Sequence, residues 1–316
     1  MSDPCLLCGQ TAARPQLQGY DRLYRTTART FDVVACAGCG LLRLSPRPLE
    51  AELAQYYPQQ YWFSGDRSLA GRLEEAFRRL LIRDHARFLQ RAYRHAGGAG
   101  PLLDVGCGGA LLAAVLRQRG IPAIGLDASL DAVKLAWHRH RVPALHGDLR
   151  QAPFAQGSLA VLSMFHVVEH LLDPAAYLRA AHALLRDGGR LVVQVPNADS
   201  LQFRLLGARW SGIDIPRHIH NFRRRDVQRL LASTGFQITR YKHFSWRDNP
   251  AGLATSLCPH LEPVARRIRQ LDARHTSRLV KDVAYLALTL ASVPFAVFEA
   301  ALGRGSSIML EARKIA

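Results

Sequence analysis

Leu103-Asp104-Val105-Gly106-Cys107-Gly108-Gly109-Ala110 joins a short apolar run to an amphipathic one. Leu102 to Val105 has the composition of a buried strand, and Ala110 to Arg119 that of a helix. The small residues between them let a ligand approach the backbone closely, and the helix N-terminus favours its anionic part. A dinucleotide fingerprint would place a third glycine three residues after Gly108. Leu111 stands there, which counts against a nicotinamide dinucleotide.

The alternation continues downstream. Ala123 to Leu126 reads as a strand, Leu130 to His138 as a helix, Ala144 to His146 as a short strand, and Leu159 to Phe165 as a strand. Pro174 to Leu185 is a helix and Arg190 to Val195 a strand. Asp226 to Ser233 is a further helix, and Phe236 to Phe244 and Ile308 to Ala312 are the last strands. Strands alternating with helices give an α/β fold with a mostly parallel sheet and ligands at its carboxyl ends. Upstream, Gly97-Gly98-Ala99-Gly100-Pro101 breaks the chain. Before it, apolar residues at helical spacing (Leu69, Leu73, Phe77, Leu80, Leu81, Phe88) predict one long amphipathic helix from Ser68, its cap, to Arg94.

Three acids fall at successive strand ends: Asp104, Asp127 and Asp148. One carboxylate suits a vicinal ribose diol, and the others suit N–H donors such as an ammonium or an adenine amino group. Each could instead cap a turn or helix. These segments, together with Phe165-His166-Val167-Val168-Glu169-His170-Leu171-Leu172-Asp173-Pro174 and Leu184-Leu185-Arg186-Asp187-Gly188-Gly189-Arg190-Leu191, resemble the class I S-adenosylmethionine-dependent methyltransferases. The resemblance is strong over about residues 97–198. It implies a Rossmann-like, seven-stranded sheet closed by an antiparallel strand, Ile308 to Ala312. It also implies that Asp104, Gly106 and Gly108 border the methionine moiety, that Asp127 holds the ribose hydroxyls, and that Asp148 faces the adenine amino group with the Leu149 backbone beside the ring, Cys107 and Ala128 being further cofactor-binding residues. Phe165 and His166 would border the cofactor as well. Ala110 stands where the family often has a third loop glycine.

Cys5-x-x-Cys8-Gly and Cys36-x-x-Cys39-Gly are separated by 27 residues. Four thiolates at this spacing predict a closed, structural Zn2+ site holding a segment too small to build its own core. We therefore divide the chain into a zinc ribbon (1–45), an aromatic lid with the long helix (46–96) and a methyltransferase domain (97–316) carrying a helical insertion at about 245–305. A ribbon before such a domain is similar to sugar C-methyltransferases, and Tyr56-Tyr57-Pro58-Gln59-Gln60-Tyr61-Trp62, followed by Phe63, sits where they have a covering segment.

Methyl transfer to oxygen or carbon needs a proton removed, and histidine titrates in the right range. The strand ending at Phe165 delivers His166 and His170 to the carboxyl edge. His170 matches a candidate base by resemblance, or it hydrogen-bonds a backbone carbonyl. His218 and His220, two apart and on one face if extended, form a second, substrate-facing candidate pair.

The insertion is basic in its first half. Its second half, Val283 to Leu302, is twenty residues with one charge, Glu299. That length could cross a bilayer, but Pro294 splits the run, and the final strand must rejoin the sheet. A helical cap over the site and a peripheral membrane contact through 264–302 both remain open. Ubiquinone-pathway O-methyltransferases look similar in placing such an insertion late in the fold.

The 316 residues carry 42 Lys+Arg against 25 Asp+Glu, but only four of the bases are lysines, a skew that weakens charge as an argument for nucleic acid. From Ser200 to Asp282, 16 basic residues face 6 acidic ones, so an anionic partner is expected there. The absence of a basic segment followed by an apolar stretch at the start predicts a cytoplasmic protein, or one peripheral on the inner membrane face. The sequence therefore predicts methyl transfer to a small-molecule, sugar or lipid-linked acceptor. The alternatives are an RNA methyltransferase using ribbon and arginines to hold phosphates, and a non-catalytic cofactor-binding scaffold.

Overall fold

The computed structural model describes residues 3–58, 69–271 and 275–315. The chain opens with β1 (Ala13–Tyr20), β2 (Thr30–Cys36) and β3 (Leu42–Ser45), then α1 (Glu50–Leu53), α2 (Leu69–Leu81) and α3 (Arg83–His95). Alternation follows: β4 (Leu102–Val105), α4 (Leu111–Arg117), β5 (Ala123–Asp127), α5 (Leu130–His140), β6 (Ala144–His146), β7 (Leu159–Phe165), α6 (Pro174–Leu184) and β8 (Leu185–Pro196). Next come α7 (Leu201–Leu206), the two-residue β9 (His220–Asn221), α8 (Arg224–Ala232) and β10 (Phe236–Lys242). Helices α9 (Asn249–Leu257), α10 (Pro263–Ile268), α11 (His275–Ala291) and α12 (Val293–Ala301) precede the last strand, β11 (Ser307–Lys314).

Seven strands form one sheet in the order β10-β11-β8-β7-β4-β5-β6. The five from β8 to β6 are parallel, and β11 runs antiparallel to both β8 and β10. β4 and β7 are apolar almost throughout because helices cover both faces. One face packs on α3 and α4 through Ala86, Leu89, Leu112 and Leu116. The other packs on α6 and α8 through Leu178, Ala181, Val227 and Leu230. Strand β4 has β5 on one side and β7 on the other, so the order reverses there and opens a crevice at its carboxyl end.

A second sheet, β1-β2-β3-β9, is antiparallel throughout. Its core is Phe31, Val33, Leu42 and Leu44 against Trp210, Ile213 and Ile215. The cysteine-marked segment and the α/β region thus share a sheet, because β9 lies after β8 in the chain.

The predicted long helix is broken at Ile82 into α2 and α3. Ile82 stays in the right-handed helical region at its edge (φ −83°, ψ −3°), and its N–H bonds the Arg78 carbonyl while its own carbonyl accepts from Ala86, so the break is a slight bend. The proposed cap Ser68 and the aromatic residues Tyr61, Trp62 and Phe63 lie outside the described residues. Pro294 falls within the first turn of α12, where its missing N–H costs nothing, and the break from α11 is the single residue Ser292.

Candidate active site and cysteine cluster

The parallel strands deliver two carboxyls side by side. Asp104, near the end of β4, is 4% exposed, and its only hydrogen-bond donor among the described residues is the Ser163 hydroxyl at 2.7 Å. Burial, with Asp127 adding to it, pushes its carboxyl up to about 6 against the Ser163 hydrogen bond. Asp127, at the end of β5, accepts from the Gly108 and Ser129 backbone N–H groups, each at 2.8 Å. It thereby fixes the glycine loop to the next strand.

The loop is tight. A methyl group on Gly106 (φ +69°) would lie 2.5 Å from Val167 Cγ2. Ala110 adopts φ +56° at the start of α4, a conformation that disfavours any side chain, and its methyl is fully buried. Asp148 follows β6, but both its oxygens are occupied. Oδ1 accepts from the Arg150 backbone N–H and Nε, and Oδ2 accepts from the Arg150 guanidinium and the Tyr177 hydroxyl. Those donors outweigh burial and hold its carboxyl at about 2. Here the capping alternative describes the geometry: Asp148 caps the 3-10 turn Leu149–Gln151.

A polar cluster sits on the loop after β7. His166 has φ +55°, which turns its ring back onto Glu169, with Nδ1 3.1 Å from Oε1. Asp248 Oδ1 lies 3.7 Å from Nε2 of the same ring. Burial disfavours the imidazolium, but Asp248 and Glu169 prevail and raise His166 to about 10, while Gln194 Nε2, which can only donate, lies 3.1 Å from its Nε2.

His170 differs. Its Nδ1 lies 3.0 Å from the Arg217 carbonyl and 2.8 Å from the Tyr57 hydroxyl. A carbonyl only accepts, so Nδ1 carries the proton and Nε2 the lone pair. Burial and the neighbouring His218 push His170 down to about 4. His218 Nδ1 likewise faces the Gly212 carbonyl at 2.8 Å. The His170 and His218 rings are edge-on at 4.6 Å. Glu169, 1% exposed, has one oxygen without a hydrogen-bond partner among the described residues. One ligating atom each from Glu169, His170 and His218 lies within 4.8 Å of the others, close enough to share a proton, a polar substrate or a cation.

Several of these residues carry no local sequence signal. Arg217 is fully buried and holds two carboxylates at once, Asp21 (2.8 and 3.1 Å) and Asp214 (2.7 and 2.9 Å). Asp248 accepts from Gln194 (2.7 Å) and Ser245 (2.6 Å) and also meets His85 (3.3 Å). Tyr57 belongs to the aromatic stretch that the sequence marks as a cover. The structure brings His166, His170 and His218 together, whereas His220 stands on β9, where Ile219 N–H bonds the Glu169 carbonyl at 2.9 Å.

Cys5, Cys8, Cys36 and Cys39 converge so that all four sulfurs lie within 4.8 Å of one another. The Cys5–Cys39 and Cys8–Cys36 pairs are 3.4 Å apart. A tetrahedron with ~2.3 Å metal–sulfur bonds has edges of about 3.8 Å, so this donor set fits zinc. Gly9 (φ +73°) and Gly40 (φ +74°) supply the left-handed turn after each pair, and their N–H groups bond the Cys5 and Cys36 carbonyls. We propose a structural role for the ion. Metal analysis should return about one zinc per chain, and chelation should lower the melting temperature. A metal-free protein with an unchanged melt would dismiss the site.

A family profile described as a methyltransferase domain matches residues 73–241. Over 138 residues the chain is 32% identical to a ubiquinone biosynthesis O-methyltransferase of Pseudomonas paraeruginosa, covering 41% of this chain and 60% of that protein. It is 30% identical over 188 residues to a "probable S-adenosylmethionine-dependent methyltransferase" of Mycolicibacterium smegmatis, covering 57% and 67%. The chain thus spans about 60% of the ubiquinone relative's length. A solved S-adenosylmethionine-dependent methyltransferase from Archaeoglobus fulgidus superposes at a TM-score of 0.49 and 18% identity, covering 78% of this chain and 100% of that one.

Proposed function

The chain belongs to the methyltransferase-domain family, and from that membership we propose that it transfers a methyl group from S-adenosylmethionine to a small-molecule acceptor. The observation that carries this reading is Asp104. It is a buried carboxyl beside a glycine loop, with the Ser163 hydroxyl its one hydrogen-bond donor among the described residues, and it suits an amino acid ammonium. Asp127 is one strand over, fixed by backbone N–H groups, and has the register for a ribose diol. Asp148 would have to release Tyr177 or Arg150 before meeting an adenine amino group.

The bound cofactor supplies an electrophilic methyl on a sulfonium. The protein's part is to position the acceptor and remove its proton. In our assignment His170 Nε2 takes that proton. Arg217 and Tyr57 fix its tautomer. Glu169 is beside it to stabilise the imidazolium, and His218 borders the acceptor. His166 is a positioning residue that orients Glu169.

Asp104 makes the cofactor step testable by pH. Its free carboxyl is raised, and an ammonium partner favours the ionised form, so binding expels the proton. Affinity for S-adenosylhomocysteine should be flat above pH 6 and fall about tenfold per pH unit below it, with proton release on binding near pH 6. Calorimetry in buffers of different ionisation enthalpy measures both. No binding, or affinity independent of pH from 5 to 8, would refute the reading.

The insertion supports a second proposal, peripheral docking on a bilayer with acidic headgroups, which suits a lipid-linked acceptor. The segment Arg278–Ala301 is long and apolar enough to cross a membrane, yet only 17% of its most apolar window is buried. α11 and α12 pack inward on α9, while Val280, Leu290 and Phe298 are 69%, 62% and 56% exposed. Arg278 and Arg304 stand exposed near its ends. The flanking strands pair directly, Lys242 with Met309, so the segment leaves and returns on one side and does not cross. Flotation with phosphatidylglycerol vesicles should carry the protein up, and a Val280→Asp/Phe298→Asp double variant should stay down. Equal behaviour of the two would exclude docking.

A further inference from the structure

β3 carries one charged side chain into the interior. Arg43 is 3% exposed, and none of its three guanidinium nitrogens has a hydrogen-bond partner among the described residues. It is the only guanidinium so placed among the described residues. Arg217 holds two carboxylates, and Arg266 bonds Asp282 and the Leu261 carbonyl. A buried, uncompensated charge is strongly unfavourable, and arginine cannot escape by losing its proton.

The register pairs Arg43 with His220 of β9, so both side chains stand on the same face of the sheet. His220 is 4% exposed, and its ring meets the Leu172 backbone. Burial, reinforced by Arg47 and Arg43, pushes it down to about 3 against the hydrogen bond to the Leu172 backbone and Asp173, so its ring is neutral and adds no second positive charge beside Arg43. The nearby acid, Asp173, is spent on capping α6 through the Ala176 N–H at 2.9 Å. This strand pair is stitched to the catalytic loop: Leu44 N–H bonds the Ile219 carbonyl at 3.0 Å, and Ile219 N–H bonds Glu169 at 2.9 Å.

We propose that Arg43 receives an anionic group of the acceptor, a phosphate or a carboxylate. The guanidinium fork matches either group with two parallel hydrogen bonds. The acceptor is then an acidic molecule, anchored between the N-terminal sheet and the loop that carries His170. Only the word acceptor rests on the methyltransferase reading; the anion site itself stands on Arg43.

The test uses the full chain, purified without phosphate. Inorganic phosphate and, separately, benzoate are titrated into wild type, Arg43→Met and Arg43→Lys, followed by thermal unfolding and calorimetry. S-adenosylhomocysteine is titrated into each as a control. At least one anion should raise the wild-type melting temperature, bind Arg43→Met at least about a hundredfold more weakly, and bind Arg43→Lys with intermediate affinity. Without anion, Arg43→Met should melt above wild type, because an unpaired buried charge has been replaced by an apolar stem of similar length. A response to phosphate alone assigns a phosphorylated acceptor, and a response to benzoate alone assigns a carboxylate. If the anion binds but S-adenosylhomocysteine does not, the methyltransferase reading falls and the anion site stands. The proposal is overturned if neither anion acts on wild type, if Arg43→Met binds as well as wild type, or if Arg43→Met melts lower or fails to fold.

Discussion

Asp21→Ala should melt about 10 °C below the wild-type protein, the largest stability loss expected of any single polar substitution described above. Asp21 and Arg217 are both fully buried, and the pair joins the turn after β1 to the loop before β9. The carboxylate also accepts from the Tyr24 and Thr26 backbone N–H groups and the Thr26 hydroxyl. Its removal strands donors as well as half of the compensation for a buried cation. Breaking a buried pair from one side costs about 3–5 kcal/mol.

The pH dependence has a definite sign. Despite burial, Arg217 and Thr26 lower Asp21 to about 2 in the folded state. Its contribution is therefore complete above the ordinary carboxylate pKa near 3.9 and is lost as pH falls through about 2. Wild type and Asp21→Ala should accordingly converge in acid. Calorimetry at pH 7 and pH 2.5 reads both effects; a melting difference under about 2 °C at neutral pH would mean that the pair holds nothing together.

His170→Gln should lower kcat by a factor of about 10²–10⁴ while leaving S-adenosylhomocysteine affinity unchanged. Glutamine can keep a hydrogen bond to the Arg217 carbonyl but has no basic nitrogen to replace Nε2. His170 is depressed to about 4, so it is neutral and competent through the physiological range. With saturating cofactor, the acid limb of kcat should fall near pH 4. With limiting cofactor it should move toward 6, where Asp104 governs binding. A His170→Gln rate within about threefold of wild type would remove His170 from the chemistry, since general-base effects start near a hundredfold.

The parallel sheet was readable because its strands are short continuous apolar runs separated by helices with orthodox starts, such as Ser129 before α5 and Asp173-Pro174 before α6. β1 was not, because Ala-Arg-Pro-Gln-Leu-Gln-Gly-Tyr keeps one face wet and contains a proline. The two residues of β9 are too few to leave a periodic signature. The site shows the same division. Asp104 and Asp127 stand at strand ends and were visible from spacing, whereas Asp21 meets Arg217 across 196 residues of sequence.

Charge was the least faithful guide. Of the basic residues between Ser200 and Asp282, Arg217, Arg223, Arg240, Lys242 and Arg266 are all engaged with acids inside the fold. The surface is thus less cationic than the count implies, and the cation that most needs a partner, Arg43, lies outside that stretch.

The sharing of β9 between the two parts has a consequence for synthesis. The N-terminal ribbon leaves the ribosome with β3 as a raw edge, and the strand that covers it is made only after most of the α/β sheet. On the proposed zinc assignment, metal capture by the four cysteines would order the ribbon in that interval, and zinc starvation should show itself first in nascent chains, as aggregation, before it touches protein already assembled.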